Sequence, residues 1–230
     1  MTGLNWKTAE DLAQGYRAGD FCPPQVLVDC LAQAKRLEPA LNALVLVDGE
    51  GATAQAEASA RRHAAGKALG PLDGVPVLIK DILLTRGQPT LRGSWSVDAI
   101  GPWPDDAPCV ARLREAGAVL LARTTTPEIG WKGVTDSPRH GITRNPWNLA
   151  KTPGGSSGGA SAALAAGYAP LALGTDGGGS IRIPASFAGV YGIKPSFGRV
   201  PAWPLSPFGT LAHVGPMART VKDAALMLEV

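Results

Sequence analysis

Two glycine-and-serine segments lie close together: Pro153-Gly154-Gly155-Ser156-Ser157-Gly158-Gly159 and Gly174-Thr175-Asp176-Gly177-Gly178-Gly179-Ser180-Ile181-Arg182. Bare backbone that presents hydroxyls and amide N–H groups suits acyl transfer, in which a hydroxyl attacks and fixed donors meet the charge developing on oxygen. Glycine at 177, 178 and 179 lets successive amides converge, because no Cβ intrudes and unusual φ values are open. A P-loop is excluded because neither segment supplies the lysine of Gly-x-x-x-x-Gly-Lys-Ser/Thr. Gly177-Gly178-Gly179-Ser180-Ile181-Arg182 also lacks the spacing of a dinucleotide fingerprint. A flexible linker over 153–159 fits poorly, since core-like sequence flanks it closely.

Two catalytic readings remain open on the residues alone. Residues 154–158 match Gly-x-Ser-x-Gly, a nucleophile elbow centred on Ser156, which needs an acid and then a histidine downstream. The only histidine after Ser156 is His213; His63 and His140 lie upstream. The other reading uses lysine as the base, which requires desolvation or a nearby positive charge to lower its pKa. Lys80 follows the apolar run Val75-Pro76-Val77-Leu78-Ile79, at a strand end where active sites of α/β proteins gather. Its plain alternative is a surface lysine paired with Asp81 or another carboxylate.

The elements that must position these residues alternate between helix and strand. Thr8-Ala9-Glu10-Asp11 resembles a capping box and predicts a helix to about Gly19; Pro23-Pro24 opens a second. Strands are expected at 43–47, 74–79, 118–122 and 169–173, and helices at 52–65, 106–116, 157–166 and from 181. Apolar rather than alternating strands in βα order imply an α/β fold with a covered, largely parallel sheet. Thr220-Val221-Lys222-Asp223 resembles another capping box, and the apolar helix after it meets no stop signal before Val230. A polypeptide that has been cut, or that something else completes, is therefore expected.

Composition sets the class. The chain has 230 residues, 45% hydrophobic and 18% charged, which excludes a disordered chain. A net charge of +3 without a basic block gives no expectation of nucleic-acid or membrane-surface binding. No apolar run reaches membrane-spanning length, and Met1 to Lys7 lacks a basic segment followed by an apolar one. Cys22, Cys30 and Cys109 show no Cys-x-x-Cys spacing, so buried, inert thiols in a reducing cytoplasm are expected. No cofactor and no metal are expected.

The order of segments resembles the amidase signature family. The likeness is carried by Gly74-Val75-Pro76, Lys80-Asp81, Thr124-Thr125-Thr126-Pro127-Glu128, Asn145-Pro146-Trp147-Asn148 and the two glycine segments. It continues through Pro184-Ala185-Ser186-Phe187, Gly192-Ile193-Lys194-Pro195 and Val214-Gly215-Pro216-Met217-Ala218-Arg219. The resemblance implies a mixed, largely parallel sheet with helices on both faces, incomplete here at its C-terminus. It divides the chain into a helical N-terminal region, 1–66, and a catalytic core, 67–230. It implies a Ser–cis-Ser–Lys triad: Lys80 as base, Ser156 bridging after a cis peptide bond, and Ser180 as nucleophile, 24 residues beyond Ser156. Amides of Gly177, Gly178, Gly179 and Ser180 would form the oxyanion hole.

Asp176 and Arg182 are expected to form a structural ion pair, the alternative for Arg182 being a substrate carboxylate. Ser157 is given no catalytic role. Trp131, Trp147 and Trp203 line a pocket or belong to the core. The implied activity is hydrolysis of a small-molecule amide in the cytoplasm, by a homodimer or with a complementing C-terminal part. Two alternatives stand beside it: the amidase subunit of a tRNA-dependent amidotransferase, and a truncated, non-catalytic fragment. Ile183-Pro184 resembles the stand-alone amidases, where that subunit typically has glutamine.

Overall fold

A computed structural model describes residues 3–230; Met1 and Thr2, the start of the stretch read for a leader, lie outside them. The helices are α1 (Ala9–Ala18), α2 (Pro23–Leu41), α3 (Gly49–Ala64), α4 (Pro108–Glu115), α5 (Gly158–Ala165), α6 (Arg182–Ala188) and α7 (Val221–Glu229). The strands are β1 (Leu44–Val47), β2 (Pro76–Lys80), β3 (Val119–Thr124), β4 (Asp136–Ser137), β5 (Gly141–Ile142), β6 (Leu171–Asp176), β7 (Tyr191–Gly192) and β8 (His213–Ala218). Thr8 caps α1 through the expected reciprocal bonds with Asp11. Thr220 accepts from the Asp223 amide at the start of α7.

Six strands form one mixed sheet in the order β1-β3-β2-β6-β8-β7, and β4 and β5 pair in a separate hairpin. The centre, β3-β2-β6, is parallel, whereas β1, β8 and β7 each join through antiparallel pairing. Four of the six strands consequently run the same way, which is the largely parallel fold expected. β1 lies within the N-terminal stretch yet pairs with β3, so that stretch supplies an edge strand as well as helices.

Every residue of β2 and β3 is buried, the signature of strands covered on both faces. α5 is apolar on all sides and wholly buried up to Leu164, as a helix inside the core must be. Arg219 ties the ends of the chain together, donating to the carbonyls of Asn5, Lys7 and Ala169. Because β2 and β6 are parallel neighbours, with Ile79 opposite Leu173, both release their C-terminal residues at the same sheet edge. The loop before α5 arrives there too, so the two glycine segments and Lys80 converge on one place.

Candidate active site

Lys80 is fully buried at the end of β2. Its Nζ donates to Ser156 Oγ at 2.6 Å, Thr175 Oγ1 at 2.8 Å and Ser157 Oγ at 2.9 Å. No carboxylate lies within ion-pair distance of it among the described residues. Burial drives its pKa from 10.5 down to about 7, and the negative charge of Asp176 opposes this only in part. The amino-terminal end of α5, capped at Ser157, adds a partial positive charge that acts in the same direction as burial. The surface-lysine reading therefore fails: Asp81 pairs with Arg123 at 3.3 Å, both side chains fully buried.

The peptide bond between Gly155 and Ser156 is cis. Glycine is required at 155 because a Cβ there would lie 2.5 Å from the Val134 carbonyl oxygen. Ser157 anchors the loop, donating to the Thr175 carbonyl at 3.2 Å while its amide donates to the Ser180 carbonyl at 3.1 Å. The two glycine segments are thus stitched directly to each other.

Asp176 organises the second segment. It is buried and accepts from the amides of Gly179 at 2.7 Å and Ile181 at 3.1 Å. Arg182 adds Nε at 2.9 Å and Nη2 at 3.0 Å, a bidentate pair that occupies the arginine within the loop. Burial by itself would raise the Asp176 pKa, but the Arg182 and amide donors outweigh it and hold the group at about 2. Gly179, at φ 113°, spends its N–H on Asp176, whereas the amides of Gly177, Gly178 and Ser180 make no backbone bond.

A cavity of about 320 Å³ opens over this arrangement, and Ser156, Thr175, Gly177, Gly178 and Ser180 line it. Trp131 and Trp203 also face the cavity, while Trp147 lies away from it and donates to the Ala188 carbonyl at 2.7 Å. His213 reaches the wall too, but its Nδ1 lies against the carbonyls of Leu211 and Asp176, 2.7 and 3.2 Å away, not against a serine. The elbow reading has no histidine to offer Ser156. Thr175 and Ser157, which hold Lys80, carry no motif of their own. Only the register of β6 beside β2 reveals Thr175.

The model of the amidase family matches residues 25–230, and the chain belongs to that family. It is 44% identical to a glutamyl-tRNA(Gln) amidotransferase subunit of Acidothermus cellulolyticus, over 99% of this chain and 45% of that protein. The corresponding protein of Streptomyces coelicolor is 45% identical over the whole chain and 46% of its own length. Among solved structures, a bacterial aryl acylamidase of the amidase signature family superposes with a TM-score of 0.90 at 38% identity, covering 98% of this chain and 47% of that one. A peptide amidase gives 0.88 at 36% identity, covering 97% of this chain and 47% of its own. The chain spans about half the length of the curated relatives it matches.

Proposed function

We propose that the chain carries the catalytic residues of an amide hydrolase that works through an acyl-serine intermediate, with Ser180 as nucleophile, Ser156 as proton bridge and Lys80 as base. The observation that carries this reading is a buried lysine without a counterion, poised near pH 7 and 2.6 Å from a serine at the floor of a cavity. A neutral amine has two N–H donors and one lone pair. The Ser157 hydroxyl spends its proton on the Thr175 carbonyl, so it receives one of those donors. The lone pair is then available to Ser156, the shortest of the three contacts.

In the forward step Ser180 Oγ attacks the amide carbon, its proton passes to Ser156 Oγ, and the Ser156 proton passes to Lys80. The carbonyl oxygen gains the negative charge, which the free amides of Gly177, Gly178 and Ser180 meet. One such donor is worth about 3–4 kcal/mol. Collapse of the tetrahedral species breaks the carbon–nitrogen bond, and the amine leaves with the proton returned through Ser156. Water then repeats the sequence on the acyl-serine and releases the acid.

A fluorophosphonate probe tests the assignment. Ser180→Ala is expected to abolish labelling. Labelling that survives in Ser180→Ala and disappears in Ser156→Ala would sink it.

The curated relatives favour a second reading, in which the chain is the amidase subunit of a tRNA-dependent amidotransferase and works with partner subunits. Ile183 on the cavity wall supports the stand-alone hydrolase, because an apolar residue stands where that subunit typically has glutamine. Recovery of two further subunits with the tagged protein would decide for the amidotransferase.

A further inference from the structure

Among the described residues, three non-glycine residues have positive φ: Asn42 at 49°, and Arg92 and Ile129 at 54° each. Asparagine tolerates that conformation, but arginine and the β-branched isoleucine rarely adopt it. Both of these uncommon cases line the cavity that holds Ser156 and Ser180. They are joined, since the Ile129 amide donates to the Arg92 carbonyl at 2.7 Å. Arg92 and Gly93 occupy the centre of a tight turn closed by Ser94 N–H to the Leu91 carbonyl at 3.0 Å, with φ of 54° and 65°. Asparagine or glycine is the ordinary choice for the first of these positions. The turn therefore does not explain why arginine stands there.

The charges around the cavity are otherwise accounted for. Asp176 is held by Arg182 and by backbone amides, Lys132 pairs with Asp136, and the His213 Nδ1 lies against backbone carbonyls. Arg92 is half-buried and makes no ion pair with any described carboxylate. The remaining wall is largely apolar, including Ile82, Leu83, Ile129 and Ile183. A half-buried arginine on a largely apolar wall is complementary to a carboxylate, which its guanidinium can hold with two parallel N–H bonds.

We propose that Arg92 sets the substrate class: the site takes amides that carry a carboxylate elsewhere on a short, mainly apolar body. This rests on the amide-hydrolase reading. It assigns to Arg92 the contact that the sequence offered to Arg182, whose fork is occupied by Asp176.

The test uses the full-length protein and matched substrates, the ω-monoamides of straight-chain dicarboxylic acids against neutral amides of the same chain length. The wild type is expected to favour the acidic member by about 10–100-fold in kcat/KM, the range of a charge-assisted hydrogen bond. Arg92→Met should erase most of that preference, chiefly through a raised KM for the acidic member. Arg92→Lys should restore part of it. Equal wild-type rates on the two members of each pair, or a preference that survives Arg92→Met, would overturn the assignment while leaving the hydrolase reading intact. Absence of turnover on every amide, together with absence of Ser180-dependent labelling, would overturn both.

Discussion

Lys80 and Asp81 are consecutive, fully buried and ionisable, yet the protein treats them in opposite ways. Asp81 meets Arg123 at 3.3 Å and accepts the Leu91 amide at 3.1 Å, and Arg123 bonds further to Thr85 and, at 2.9 Å, to Thr90. Burial lowers the Arg123 pKa, and the Asp81 charge pushes back. Lys80 meets only hydroxyls. Desolvation with a counterion yields a charged brace across the ends of β2 and β3. Desolvation without one yields a group that gives up its proton near neutrality. Successive strand residues face opposite ways, so one strand end serves both purposes.

The largest expected effect falls on catalysis. Lys80→Met should lower kcat by at least about 1,000-fold, as loss of a general base within a cooperative unit does. The wild-type rate should fall on the acid side of about pH 7, where the lysine holds its proton. A rate independent of pH from 5 to 9 would remove the distinction between the two residues.

Next in size is the brace. Asp81→Ala leaves Arg123 charged and buried without its partner, and should destabilise the fold by about 3–5 kcal/mol in a denaturant titration. A cost under about 1 kcal/mol would mean that water reaches this pair after all.

The smallest effect sharpens the contrast most. Lys80→Met should raise the thermal midpoint, in opposition to its neighbour. The sign follows from a folded pKa of about 7 against 10.5 unfolded. Below pH 7 the folded state carries the whole cost of a buried charge. From 7 to 10.5 the unfolded state binds the extra proton, so wild-type stability climbs with pH. The gain on replacing the lysine should be larger at pH 6 than at pH 9, as paired melting scans would reveal.

Much of this was legible in the order of residues. Capping residues and a proline pair located α1 and α2, because those signals are local. The glycine pattern singled out Ser156, the family resemblance added Ser180, and the apolar run before Lys80 placed it at a strand end. Non-local pairing hid the rest. The sequence reading ends one strand at Ala122, whereas β3 runs to Thr124, since Arg123 is acceptable in a covered strand only with Asp81 beside it. β8 contains Gly215-Pro216, which reads as punctuation. Pro216 is accommodated because β7 pairs with β8 only at Met217 and Ala218. Thr175 is an ordinary threonine until β6 is set next to β2. The bond from the Gly179 N–H to Asp176 is likewise invisible in a run of three glycines.

The end of β6 has a consequence for how faults would spread. Thr175 and Asp176 are successive residues, opposite Val214 and His213 of β8, and their side chains leave the sheet on opposite sides. Thr175 holds Lys80, and Asp176 shapes the turn that carries Ser180. A slip of β6 by one residue that carried Asp176 into the place of Thr175 would set a carboxylate beside Lys80 and only Gly177 beneath the turn. The lysine would then gain the counterion it lacks, and the turn that carries Ser180 would lose its scaffold in the same movement. Alignment of one strand therefore acts as a single point of failure for the whole apparatus, and β8, zipped along all six residues of β6, is its lock.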